Sequence, residues 1–153
     1  MFICTVKAST IRFVGLIVLA AALLGGVLLY TGNATVEAAG YQYGKIKTDA
    51  DRVAFLEQFG WKTTGAPVEQ ETFTIPDTFD RVMLGYNEIQ RAQGLDLSRY
   101  ENKKVTRYTF EITNYPDYEG KVYANLIMFR DKVIAADICS ADPSGFVQGL
   151  ERK

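Results

Sequence analysis

The chain of 153 residues contains no histidine. That excludes a Ser-His-Asp or Cys-His catalytic pair, a histidine-ligated zinc and a histidine-based pH switch. Cysteine is nearly as scarce. Cys4 and Cys139 are the only two, and they flank the one long hydrophobic run, so no disulfide is expected between them. Net charge is small as well: residues 40–153 carry fifteen basic and seventeen acidic groups, which leaves no electrostatic footprint for nucleic acid. A Gly-rich phosphate loop, a metal-spaced ligand cluster and a nucleophile elbow are all lacking. No cofactor, metal or nucleic-acid partner is therefore expected, and no catalytic residue is assigned.

What is present divides into an anchor and a domain. Residues 1–12 form a short leader with Lys7 and Arg12 as its only charges, and Phe13 to Tyr30 runs eighteen residues without a charge. As a helix that run spans ~27 Å, against a hydrocarbon core of about 30 Å. The basic flank is expected to stay in the cytoplasm and the C-terminal side to be exported. Residues 13–30 thus read as a transmembrane signal anchor in a single-pass cell-membrane protein. The alternative is a secretory signal peptide cut after Val36-Glu37-Ala38, but the apolar run exceeds the usual ~7–15 residues and the cut lies well beyond its end. Cys4 precedes the run and is no lipoprotein acceptor. Residues 31–47, rich in Gly, Thr, Asn and Ala, read as a linker, and 48–153 as the extracytoplasmic domain.

Apolar content of 48% and charge of 23% are ordinary for a domain that buries a core. Thr48 reads as a helix N-cap with Asp51 in the capping-box position; Val53, Leu56 and Phe59 recur at helical spacing, and Gly60 closes the helix. Trp61 follows where a hydrophobic contact back to the last turn is expected, which predicts its burial. Val68–Ile75 is a candidate edge strand. A second helix is expected from near Asp77, with Asp80 as box partner, an apolar stripe of Phe79, Val82, Met83, Tyr86 and Ile89, and Gly94 as terminator. The centre of the domain is a three-stranded meander: Val105–Asn114, Val122–Arg130 and Val133–Cys139. In the first strand Tyr108, Phe110 and Ile112 alternate with Arg107, Thr109 and Glu111, the pattern of a half-buried strand. The second is apolar on both faces except at Asn125, as in a central strand covered on each side. The expected fold is α+β: two helices packed on one face of a mainly antiparallel sheet of about four strands.

Three residues stand out as candidate binding groups. Asp137 is the one charge in a nearly all-apolar strand, costly to bury unless paired or hydrogen-bonded. It is read either as pointing outward or accepting bonds from the loop Ser140–Gly145, or as a buried anchor for a partner such as Arg107 or a ligand-facing acid. Tyr115 and Tyr118 sit in the turn after the first meander strand; aromatics there serve a peptide, glycan or protein surface, or pack down on the sheet edge. Glu69 and Glu71 share a side of the edge strand, where paired carboxylates do acid–base work or, more simply, blunt strand pairing. An enzyme without histidine would rely on Asp137, a Lys or a Tyr, with Cys139 or Ser140 as nucleophile. Cys139, ending an apolar strand, reads instead as a buried inert thiol.

Several strings occur together and in order. They are Phe55-Leu56 with Gly60-Trp61, Ile75-Pro76 with Phe79, Tyr86-Asn87-Glu88-Ile89-Gln90, Gly94-Leu95-Asp96-Leu97 with Tyr100, Arg107-Tyr108-Thr109, Asn114-Tyr115-Pro116, and Asp137-Ile138-Cys139-Ser140 followed by Gly145-Phe146 and Gly149-Leu150. Over residues 49–150 the chain resembles an uncharacterised bacterial family, a domain of unknown function found mainly in anaerobic Gram-positive bacteria. The resemblance implies a signal or anchor and a domain extent, and no activity. Ala135-Ala136 stands where that pattern has Gly-Gly. Taken together the expectation is a binding or interaction module at the cell envelope, with an envelope protein, peptide or glycan as partner. The alternatives are an envelope enzyme using a carboxylate or Cys139, and a signalling or assembly subunit acting through its anchor helix.

Overall fold

The computed structural model describes residues 40–152. The expected leader, the expected transmembrane segment at 13–30 and the first part of the expected linker lie outside those residues. By its contacts the chain divides into two units, Met1–Glu37 and Ala38–Lys153, and all that follows concerns the second. No helix among the described residues is long and apolar enough to cross a membrane.

The domain is α+β. Helix α1 (Asp49–Glu57) begins at the expected capping box: the Asp51 amide donates to Thr48 Oγ1 at 3.1 Å and the Thr48 amide to Asp51 Oδ2 at 2.8 Å. It ends where Gly60 adopts φ +80° and the Trp61 amide donates back to the Leu56 carbonyl, which satisfies a carbonyl of the last turn. Strand β1 (Glu69–Thr74), helix α2 (Arg81–Arg91) and a 3₁₀ turn at Leu97–Tyr100 follow. The meander is β2 (Lys104–Ile112), β3 (Val122–Phe129) and β4 (Lys132–Ser140), and β5 is Val147–Gln148. The sheet runs β1-β2-β3-β4-β5 and is antiparallel throughout.

The sheet has five strands where about four are expected. At two residues, β5 is too short to carry an alternation signal. The helices also do not share a face. Phe55, Leu56 and Phe59 around α1 join Phe110, Leu126, Ala136 and Ile138 in one cluster. Phe79, Met83 and Tyr86 around α2 pack with Ile75, Ile127, Ile134 and Ala135 in another. The physical reason lies in β3, whose side chains are apolar on both sides and need cover on both.

Helix α2 also departs from its expected start and stripe. Its N-cap is Asp80, whose Oδ1 accepts from the Met83 amide at 2.8 Å. Asp77 cannot serve, because Ile75 is still held extended: its amide donates to Lys103 and its carbonyl accepts from Asn102. Residues 76–79 are needed to turn the chain. Val82, expected in the apolar stripe, is 80% exposed, while the buried helix positions are Asn87 and Gln90. Beside β4, Gln90 Oε1 accepts from the Ala136 amide at 2.9 Å and Gln93 Nε2 donates to the Ala136 carbonyl at 3.0 Å. The Leu150 amide donates to Gln93 Oε1 at 2.7 Å. Two glutamines thus continue the ladder where β5 stops. Each main-chain group left without a partner would cost about 1–3 kcal/mol, comparable to the gain from burying one valine. Gly149 makes room for this: a Cβ there would stand 2.8 Å from Gln93 Cδ.

The end of the expected linker is packed on the domain. The Val133 amide donates to the Tyr43 carbonyl at 2.8 Å, the Ile46 amide donates to the Asp131 carbonyl at 2.9 Å, and Ile46 is buried. Trp61 is 1% exposed, as its position after α1 predicts, and its Nε1 donates to the Leu150 carbonyl at 2.6 Å.

Candidate functional site

Side chains directly opposite one another in an antiparallel sheet point to the same face. Glu69, Thr109, Asn125 and Asp137 are successive partners across β1, β2, β3 and β4. They form one polar row on the face that α2 packs against. Thr109 Oγ1 donates to Asn125 Oδ1 at 2.8 Å, and Asn125 Nδ2 donates to Asp137 Oδ2 at 3.0 Å and to Cys139 Sγ at 3.3 Å. From the helix side, the Tyr86 hydroxyl donates to Asp137 Oδ1 at 2.7 Å. Asp137 is 3% exposed, and both its oxygens are occupied.

Charge in this row is held in check by burial. Desolvation raises the Asp137 pKa; the hydrogen bonds from Tyr86, Asn125 and Cys139 and the distant pull of Arg107 oppose it without prevailing. Tyr86 is pushed well above the usual phenol range, by burial first and then by Asp137 beside it. The Cys139 thiol is pushed up by burial and by the same carboxylate. A thiol shifted that way stays protonated at neutral pH and is a poor nucleophile.

Helix α2 and the 3₁₀ turn cover only the half of this face that carries Val105, Ile127 and Ile134. Beyond Tyr86 the face is open. There a recess of about 550 Å³ is lined by Val68, Glu69, Arg107, Thr109, Tyr123, Asn125 and Cys139. Arg107 sits on its wall, with Nη2 2.7 Å from Glu71 Oε2 and 3.6 Å from Glu69 Oε2. The Arg107 Nε is buried with no hydrogen-bond partner among the described residues. The recess therefore presents a guanidinium donor, a carboxylate, a hydroxyl, an amide and a tyrosine ring. Polar groups converging on a recess of this kind are able to orient a small polar ligand; Asp137 lies behind the lining, bonded to Asn125.

Of the residues singled out from sequence, Asp137, Cys139, Arg107 and the Glu69/Glu71 pair come together here. The carboxylate is buried, but its partners are Tyr86 and Asn125; Arg107 instead bridges Glu69 and Glu71. The loop at 140–145 does not reach it, since Asp142 binds Ser144. Cys139, read as buried, is only partly so, on the recess wall. Tyr115 and Tyr118 lie in a separate aromatic cluster. Tyr115 stacks on Trp61 with centroids 5.6 Å apart and on Phe146 at 4.9 Å, and its hydroxyl donates to Gln148 Oε1 at 3.3 Å. Tyr118 meets Tyr115 and Phe146 edge-on. Tyr86, Thr109, Asn125 and Tyr123 were missed as site residues. Asn125 carried a usable signal: it is the lone polar residue of β3, as Asp137 is of β4, and two such anomalies in adjacent strands invite pairing. Among the described residues there is no group of three or more acidic or thiol side chains placed to hold a metal.

Fold and site together define a small antiparallel α+β domain with a polar recess on a half-covered sheet face. The model of a family described as a domain of unknown function (DUF4830) matches residues 55–138, more than half of the chain. The chain belongs to that family, which starts inside α1 and ends one residue past Asp137. No curated protein and no solved structure matches it.

Proposed function

We propose that this protein is a binding module of the cell envelope, held at the membrane by residues 13–30, whose ligand seat is the sheet recess beside Asp137. The observation that carries this reading is an open polar recess whose one thiol is held protonated, with a buried, doubly hydrogen-bonded carboxylate behind its Asn125. Such a site recognises and does not attack. The mixed lining, one guanidinium against two glutamates with a tyrosine ring beside them, suits an uncharged or zwitterionic peptide or glycan fragment.

The test is a binding screen of the full-length protein, in a mild detergent, against cell-wall peptides, glycan fragments and envelope proteins. Saturable binding that is lost in Arg107→Gln and Thr109→Val supports the recess. Turnover of a fragment without any stable complex would support an enzyme instead, and binding indifferent to both variants would move the site elsewhere. Fractionation tests the anchor separately. The full-length protein is expected in the membrane pellet after high-salt and carbonate washes, whereas a soluble exported form starting near Ala39 would support signal cleavage.

A further inference from the structure

The two outer edges of the sheet are finished differently. Beyond β4, β5 pairs for a short distance, and Gln90 and Gln93 take up the Ala136 main chain where it stops. At the other edge, β1 has neither. Its residues are all exposed except the half-buried Phe73, and no described residue bonds to its outer side. Hydrogen-bonding direction alternates along an antiparallel strand. The Ile75 amide donates inward, to the Lys103 carbonyl at 3.0 Å, and Phe73 and Glu71 face β2 in the same sense, opposite Val105 and Arg107. The N–H and C=O groups of Gln70, Thr72 and Thr74 therefore point out of the sheet. Open edges are ordinarily blunted by charge, proline or a covering element. Strand β1 contains no proline and no lysine. Its two glutamates do not guard it either: Arg107 Nη2, from β2, holds Glu71 at 2.7 Å and Glu69 at 3.6 Å, so their charge is matched and drawn back over the sheet.

We infer that β1 is a dimerisation edge, paired antiparallel with β1 of a second copy of this chain about a twofold axis at Thr72. In that register Thr72 lies opposite Thr72, Gln70 opposite Thr74 and Glu71 opposite Phe73. Each outward N–H then meets an outward C=O, and no glutamate directly faces a glutamate. The two Phe73 rings share a face diagonally across the axis, a spacing that aromatic side chains still bridge. The neighbouring registers fit less well. An axis at Glu71 would set two carboxylates directly opposite, which is destabilising. An axis at Phe73 would set Gln70 against Pro76, which has no amide to donate. This fit of the strand to itself favours a second copy over a foreign strand, since the edge offers no unmatched charge to select one. Copies held in one membrane by residues 13–30, as proposed above, would also meet at raised effective concentration. Pairing joins the two sheets into one and leaves both recesses on the same face, since opposite side chains point the same way. It does not depend on what the recess binds.

The test uses the full-length protein in a maltoside detergent. Sedimentation velocity over a concentration series is expected to show a monomer–dimer equilibrium. Thr72→Pro removes an outward amide and leaves the bonds to β2, because proline is tolerated where the N–H faces solvent. It should weaken the dimer at least about tenfold. Thr72→Lys, which sets two cations across the axis, should do the same. Both variants should keep the wild-type Trp61 emission, which reports that they fold. Mild oxidation reads the register. Thr72→Cys should give a disulfide-linked dimer, since bonded partners stand about 5.5 Å apart at Cα. Thr74→Cys should give no more than wild type, whose own cysteines set the background. A monomer at every concentration would overturn the inference and leave the edge to a strand of another protein. So would a dimer that both Thr72 variants leave intact, which would put the contact elsewhere in the chain, or crosslinking of Thr74→Cys in place of Thr72→Cys.

Discussion

At the scale of single residues, two aspartates show how surroundings set the sign of a carboxylate's contribution. The Asp137 pKa is raised by burial. Its protonated form is favoured by folding, so the stability it contributes is full below the ordinary carboxylate range and is lost as pH rises through its folded value. Wild type should therefore lose stability relative to Asp137→Asn as pH increases, measured by urea denaturation at a series of pH values. A difference that grows in favour of wild type with rising pH would contradict the burial argument. At fixed pH, Asp137→Leu should cost about 1–3 kcal/mol by leaving the Tyr86 hydroxyl and the Asn125 amide without an acceptor, and Asp137→Asn less. Asp96 behaves oppositely. It accepts from Asn87 Nδ2 at 2.9 Å and from the Ser98 hydroxyl and amide, and these bonds, Asn87's first, bring its pKa down to about 2. Its contribution is present above the ordinary carboxylate range and disappears as pH falls toward about 2. Because the Asp96 side chain keeps part of its surface in water, 22% of it exposed, solvent screening limits that contribution. Asp96→Asn should remove the corresponding acid-side slope in the same titration.

At the scale of elements, α2 is positioned by polar contacts more than by its apolar stripe. Gln90 and Gln93 take the place of a strand beside Ala136, and Asn87 Oδ1 accepts from the Leu97 amide at 2.8 Å to fix the 3₁₀ turn. Replacing Gln90 by Leu keeps the bulk and removes the acceptor for a buried amide. It should cost about 1–3 kcal/mol in chemical denaturation and speed hydrogen exchange at Ala136. Val82→Ser, on the exposed side of the same helix, should change stability by less than about 0.5 kcal/mol. If the two variants were equally costly, the helix would be held by its apolar stripe after all. The sheet has a comparable asymmetry. β1 is an edge strand whose Glu69 and Glu71 are both drawn to Arg107, so the paired carboxylates form an ion-pair cluster beside the recess.

At the scale of the whole domain, its two ends are joined through Trp61. The indole donates to Leu150, stacks on Tyr115 and lies under Arg152, while Leu150 also bonds to Gln93 of the α2 end. Residues 146–150 are thus a strap over the core. Truncation after Ser144 would remove β5, Phe146 and Leu150 together. It should shift the Trp61 emission to the red in the folded protein and lower stability by several kcal/mol, since two large apolar side chains lose their burial. An emission unchanged by truncation, or by unfolding of the intact protein, would place Trp61 in water already.

Local chemistry was legible in the residues alone. The capping box at Thr48 and Asp51, the glycines that close both helices, the burial of Trp61 and the alternation of β2 all depend on neighbours a few positions apart, so periodicity and caps suffice to read them. The oddity of Asp137 was legible too, because a charge inside an apolar strand is visible in one dimension. Its partners were not. Tyr86 and Asp137 are 51 residues apart, and which helix face meets which strand depends on where the chain turns after Ile75 and on two glutamines completing the edge of β4. Those are choices between competing hydrogen bonds and buried area, each about 1–3 kcal/mol. They resolve only when the sheet register brings Thr109, Asn125 and Asp137 into one row and leaves the ground beside it uncovered.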